Sequence, residues 1–356
     1  MLADTSGDRF PIKTSVCRGS LSESRHQATA IMYPKDGPPL MYGSADPGTF
    51  LRSVAKPFQA LALLRAGIGE SFSLSPRELA VICASHAGEG LHRELVNGLL
   101  EKGGLSVSDL QCGIHAPFSR SERQRMLADK ELLDATCNNC SGKHSGMLLA
   151  TVNQQQSKDD YLELNHPLQR SIRAVLELFS GEILDINRSG VDGCGAPTYH
   201  IPLLSIARAF QRLHQEKFLQ GCGFSDWVQK VHDAIDSHPK AFSGEGRYPL
   251  LWRPYLAGKF RAKEGAEGVM VIWGPKGSLV IKSHDGADRG LIHAIPHLLK
   301  RSHWIDETTF ERWISDQPSL VRNVAGRKVG DVYVEIPEPL ELDDPLTSVP
   351  GMGLTK

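Results

Sequence analysis

Strand-like segments stand at both ends of this 356-residue chain, with a long run of helical patterning between them. That order limits the fold more than any other feature. Residues 28–33 read as a strand, 34–39 as a turn rich in Pro and Gly, and 40–43 as the return strand. Helix formers fill 58–66. Ser75, Pro76 and Glu78 spell an N-cap, a first-turn proline and a capping-box acid. Further helices are predicted near 89–102, 119–133, 143–154, 166–179, 202–216 and 225–237. Strand character returns at 268–273 and 278–282 around the Gly274-Pro-Lys-Gly277 turn. Asp288 is placed to cap a helix over 289–299, and 330–335 reads as a last strand. The expectation is an α+β fold whose terminal strands share one antiparallel sheet, split in sequence by a mostly helical region. Residues 1–75 and 240–356 are assigned to the strand-bearing subdomain and 76–239 to the helical one, within a single unit.

Composition removes several functions. Forty Lys and Arg against 41 Asp and Glu leave no surplus charge for a phosphate backbone, so nucleic acid is not an expected partner. The apolar run at 79–84 is far shorter than the roughly 18 residues of a membrane span, so no membrane is expected either. The first eight residues carry two aspartates and no apolar stretch, which is unlike a secretory leader. A cytoplasmic location follows, with reduced thiols. The seven cysteines, an odd number in a long chain, do not suggest a disulfide framework. The last residues read as a poorly ordered end.

Two constellations carry chemistry. The first is Ser53-Val-Ala-Lys56, followed by Pro57 and a helical run. A serine hydroxyl needs a base to become a nucleophile, and residues i and i+3 share one face of a turn. A lysine in a dry pocket beside another cation can supply that base, because both burial and charge repulsion favour its neutral form. Alone the motif is weak: elsewhere it is a capping serine and a solvated lysine. Its place at a strand-to-helix transition raises its weight, as do Ser85 in Cys83-Ala-Ser-His-Ala-Gly-Glu-Gly90 and Lys263 in Lys-Glu-Gly265. The second constellation joins Cys137-Asn-Asn-Cys140-Ser-Gly-Lys143-His144 with Asp192-Gly-Cys194-Gly-Ala-Pro197. Cys140, Cys194 and a nitrogen from either Lys143 or His144 form a zinc-like donor set with a fourth position open. The bland alternative is a pair of buried thiols in tight glycine turns. A nucleobase-deaminase site is disfavoured, since Thr136 replaces the required proline and His86-Ala-Gly-Glu89 is one residue too long.

Taken in order, segments 52–60, 85–89, 137–147, 192–197, 263–268 and 283–289 resemble the class 3, rhizobial-type L-asparaginases, within the serine β-lactamase/glutaminase-like superfamily. The resemblance implies that superfamily's fold, a homodimer, and hydrolysis of L-asparagine to L-aspartate and ammonia. It implies two serine-lysine pairs, Ser53 with Lys56 and Ser85 with Lys263. It also implies one zinc ion held by Cys140, Lys143 and Cys194, and a substrate pocket lined by Arg52, His144 and Asp192. The expected reaction is acyl transfer from asparagine to Ser53, with Lys56 as base.

Rival readings are a serine β-lactamase, a glutaminase, and a zinc-containing binding protein without activity on the same scaffold. Lys-Glu-Gly in place of Lys-Thr-Gly counts against the first.

Overall fold

The computed structural model describes residues 10–256 and 258–346, and the expectations for the first eight and the last residues lie outside that range. The chain divides into two compact units. Among the described residues, one comprises 10–49, 202–211 and 254–346, and the other 50–201 and 212–253.

The first unit is built on an antiparallel sheet. Its strands are β1 (Ile12–Arg18), β2 (Leu21–Pro34), β3 (Leu40–Tyr42), β4 (Arg261–Gly265), β5 (Val269–Gly274), β6 (Gly277–Ser283), β7 (Leu320–Arg322), β8 (Lys328–Glu335) and β9 (Leu340–Glu341). They run in the order β7-β8-β1-β2-β6-β5-β4, with β3 beside β2 and β9 beside β3. The sheet therefore mixes strands from both ends of the chain, as the sequence order predicts. β5 and β6 are buried along almost their whole length, which explains their near-continuous apolar runs. The helix Leu203–Arg212 is tied to β6 where Ser278 Oγ donates to the Ala207 carbonyl at 2.6 Å. In the same unit Arg208 grips Asp344 through Nε at 2.8 Å and Nη2 at 3.0 Å.

The second unit is mostly helical. Its main elements are α1 (Lys56–Arg65), α2 (Pro76–Ile82), α3 (Gly90–Lys102), α4 (Ser141–Asn153) and α5 (Pro167–Ser180). Ser75 and Glu78 close the capping box read from the sequence. α4 is the spine, because Ser141 through Thr151 are buried without a break. Its glycines allow that. A Cβ on Gly142 would sit 2.3 Å from the Val81 carbonyl oxygen of α2. This close crossing brings the start of α4 beside the segment that follows α2, where Ser85 lies.

Gly142→Ala is therefore expected to destabilise the protein by about 3 kcal/mol, through backbone displacement in a packed interior. Gly98→Ala in α3, where a new methyl meets nothing within 4 Å, is expected to stabilise it by about 0.5 kcal/mol. Urea midpoints of the two variants should move in opposite directions. A Gly142→Ala midpoint equal to wild type would rule out the close crossing.

Some elements differ from expectation. Residues 50–75 belong with the helical unit, because α1 packs its buried face on α4 and α5. Residues 202–211 belong with the sheet, through Ser278 and Asp344. The helix expected over 119–133 ends at Ala128, where Lys130 turns to φ +54°. The helix expected over 289–299 breaks at His293 into Arg289–Ile292 and Ala294–Arg301. Pro296 has no N–H to offer the carbonyl four residues earlier. Asp288 makes no side-chain cap.

Candidate active site

The site in the second unit is assembled from three loop-to-helix junctions. Residues 52–55 form a single 3-10 turn that leads into α1, and Lys56 is the first residue of the helix. Arg52 has φ +47°, a left-handed conformation that costs a non-glycine residue energy. It is held there from both ends. Its N–H donates to Thr198 Oγ1 at 3.1 Å and its Nε to Asp192 Oδ1 at 2.7 Å.

Lys56 is buried, with 1% of its surface exposed. Its Nζ has three partners: the Ala84 carbonyl at 2.6 Å, the Asn139 carbonyl at 3.3 Å and Ser85 Oγ at 3.0 Å. Two of these can only accept a proton. The Ser85 hydroxyl alone can either accept from an ammonium or donate to a neutral amine. Protonation of Lys56 is thereby coupled to the direction of one hydrogen bond. Burial pushes the Lys56 pKa down from the ordinary lysine value, helped by the Lys143 charge and opposed by Cys140 and Cys194.

The expected pairing of Ser53 with Lys56 is not seen: no hydrogen bond joins Ser53 Oγ to that amine. Ser53 is half-buried in the 3-10 turn. The Lys56 side chain is drawn inward instead, where its Nζ gives the buried Ala84 carbonyl a donor. Lys263 lies in the other unit, buried on β4, where its Nζ donates to the Glu264 carbonyl at 3.0 Å. It lies within a strand rather than just before one.

The sulfur cluster is buried in the same unit as Lys56. Cys140 precedes α4, Lys143 and His144 are in its first turn, and Cys194 sits in the turn after Asp192. Lys143 Nζ lies 3.0 Å from Cys194 Sγ. The hydrogen bond from Cys140 to Cys194 lowers the Cys194 pKa and raises that of Cys140, and Lys143 reinforces the first effect. Burial works to lower Lys143, but the two sulfurs outweigh it and its pKa rises. His144 is fully buried, and burial pushes its pKa down to about 4. Its Nδ1 lies 2.6 Å from Tyr161 Oη, which also accepts the Gln111 N–H at 3.1 Å. Tyr161 was not anticipated, since nothing near it in sequence marks it. Among the described residues no three His, Cys, Asp or Glu side chains converge as a metal-binding group.

The L-asparaginase II family is matched across residues 14–334. The chain belongs to the L-asparaginase II family. That span covers every residue of the candidate site. No curated protein matches this member of the family. Solved structures similar to this chain include Mglu in its tris and glutamate form, at 12% identity and a TM-score of 0.37, over 78% of this chain and 59% of that one. Another is the Bacillus subtilis glutaminase YbgJ in covalent complex with 5-oxo-L-norleucine. It is 11% identical with a TM-score of 0.33, over 74% of this chain and 82% of that one. The chain spans about three fifths of the length of Mglu. Among its described residues no helix is long and apolar enough to cross a membrane.

Proposed function

We propose that the protein hydrolyses L-asparagine to L-aspartate and ammonia through an acyl-enzyme on Ser53. The observation that carries this reading is the buried Lys56–Ser85 bond, in a chain of the asparaginase family. Ser53 is the more accessible of the two hydroxyls, at the mouth of α1, whereas Ser85 is 3% exposed and held by Lys56. Ser53 Oγ attacks the side-chain amide carbon and its proton passes to the Lys56–Ser85 pair. The same pair returns a proton to the departing nitrogen, which leaves as ammonia. Water then cleaves the ester and releases aspartate, restoring the Ser53 hydroxyl. Arg52 and Asp192 present opposite charges side by side. An amino-acid zwitterion presents the same two charges, its carboxylate for Arg52 and its ammonium for Asp192. Lys263 is the amine that family resemblance implies for Ser85, and a Lys263→Ala variant with full ammonia release would remove it from the scheme. Glutamine differs from asparagine by one methylene, worth about 1–3 kcal/mol. Asparagine should therefore be preferred by a measurable but finite ratio.

Rapid quenching of asparagine turnover, followed by peptide mass mapping, is expected to find an aspartyl adduct on Ser53. An adduct on Ser85 would exchange the roles of the two serines.

We further propose one zinc ion on Cys140, Lys143 and Cys194. Two buried sulfurs and an amine already within hydrogen-bonding distance suit that metal. Lys143 is chosen over His144 because its Nζ lies 3.0 Å from Cys194 Sγ, whereas His144 Nδ1 is engaged by Tyr161 Oη at 2.6 Å. When bound, zinc would polarise and shape the pocket. Cys194→Ala is expected to take the metal content of purified protein from about one equivalent to near zero. A variant that keeps its zinc would exclude this donor set. The free cysteines suit a reducing cytoplasm. A homodimer is the expected assembly, readable by sedimentation.

A further inference from the structure

Residues 84–89 carry Ser85 between α2 and α3 with neither helix nor strand to take up their backbone groups, and 84–88 are buried. A buried segment of this kind must find partners for its polar groups. Two histidines supply acceptors. The Gly88 N–H donates to His86 Nδ1 at 3.2 Å, and the Glu89 N–H to His92 Nδ1 at 3.1 Å. A backbone N–H can only donate, so both Nδ1 atoms are bare and both rings are neutral with their proton on Nε2. That proton has an acceptor in each ring. His86 Nε2 donates to Ser141 Oγ at 3.0 Å, and His92 Nε2 to the Lys240 carbonyl at 2.8 Å. Ser141 Oγ sends its own proton to the Thr136 carbonyl at 3.0 Å. The two rings are stacked, with centroids 4.8 Å and planes 9° apart.

The His86 ring thus ties the residue three beyond Ser85 to the first turn of α4. Its backbone adds a second tie, because the His86 N–H donates at 3.2 Å to the Asn139 carbonyl, the oxygen that also takes Lys56 Nζ. Around the turn the packing is close. The Ser119 N–H donates to the Ala87 carbonyl at 3.0 Å, and a Cβ on Gly88 (φ +75°) would sit 2.7 Å from the Cys137 carbonyl oxygen. We propose that His86 is a positioning residue: its imidazole, seated on His92, joins the turn 86–88 to Ser141 and so fixes the Ser85 hydroxyl against Lys56. The proposal rests on the reading in which the Lys56–Ser85 pair carries the proton of the reaction. Burial, with the charges of His92, Lys56, His115 and Arg247, pushes the His86 pKa well down, and burial takes that of His92 to about 4 against the pull of the Lys240 carbonyl and Glu122. Both rings therefore stay neutral at neutral pH, as the turn requires.

Two substitutions in the full chain separate positioning from bulk packing. His86→Asn keeps an acceptor where Nδ1 stands, and His86→Gln keeps a donor where Nε2 stands. His86→Gln is expected to lower kcat for ammonia release about 10²-fold and to leave KM for asparagine within about twofold, since a misplaced Ser85 slows proton transfer without touching what binds the amino acid. His86→Asn should recover about tenfold of that loss. Equal kcat for the two variants, or a loss carried by KM, would overturn the proposal. Should neither variant fold, Ser141→Ala takes their place, with a lower kcat and unchanged KM expected and wild-type kcat overturning the role. Amide hydrogen exchange over 84–89 gives a readout that needs no substrate. It is expected to be faster in His86→Gln, or in Ser141→Ala, than in wild type, and unchanged exchange would also overturn the proposal. Wild-type protein that releases no ammonia would end the asparaginase reading, and the exchange result alone would then decide the role of His86.

Discussion

Lys56→Met is expected to lower ammonia release from asparagine by about 10³-fold, or about 4 kcal/mol of transition-state stabilisation. The size follows from what the amine does in the dry site. It bonds Ser85 Oγ, whose proton it can take, as well as the Ala84 and Asn139 carbonyls. Methionine keeps the length of the side chain and removes both the lone pair and the donors. The Ala84 carbonyl loses its donor, which will also cost about 1–3 kcal/mol of stability, while the Asn139 carbonyl keeps the His86 N–H, so activity must be read on protein shown to be folded by its near-ultraviolet spectrum. Lys56→Ala supplies the cleaner control, because small primary amines added to the buffer should restore part of its turnover. Retention of more than a tenth of wild-type activity by Lys56→Met would end the proposed role. Rescue that is equally strong in Ser53→Ala would end the proposed order of attack.

Asp344→Asn is expected to destabilise the protein by roughly 3–5 kcal/mol at neutral pH, the usual cost of breaking one side of a buried ion pair. Asp344 has none of its side chain exposed, and Arg208 only 6%. Its carboxylate takes two bonds from Arg208, one from Tyr33 Oη at 2.9 Å and one from the Leu346 N–H at 3.0 Å. Asparagine preserves the shape and leaves a buried guanidinium without its counter-charge. The variant also changes the pH response. Burial works to raise the Asp344 pKa, but Arg208 and the N–H donors overcome it and hold the pKa below the ordinary value. A group held low in the folded state contributes its full stability above the unfolded-state pKa of about 4. That contribution is lost as the pH falls through the folded value. The gap between wild type and Asp344→Asn in urea should therefore be widest at neutral pH and shrink in acid. A gap that stays constant down to strongly acid pH would show that the charge contributes nothing.

Local features of the chain were legible because local chemistry writes them. Ser75 and Glu78 announce their capping box, and Gly274-Pro-Lys-Gly277 announces the turn between β5 and β6. The motifs around Lys56, Cys140 and Cys194 were visible for the same reason. What escaped is non-local. The Ser85 partner of Lys56 is set by how α4 crosses α2, and that depends on a glycine meeting a carbonyl far away in sequence. β1 was hidden because a buried threonine, Thr14, sits between Ile12 and Val16 on its inner face, so alternation in polarity is weak although alternation in burial is complete. The break at His293 and the early end at Ala128 reflect backbone geometry that helix propensity does not record.

The place of β1 in the sheet has a consequence for biosynthesis. Its neighbours are β2, which follows at once, and β8, whose register pairs Lys13 with Glu335. A ribosome thus releases one of the first strands more than 300 residues before the strand that covers its second edge. Until β8 has been made, that edge stands open to any other nascent chain. Slow, late-closing assembly of this kind favours expression at low temperature or with a holding chaperone.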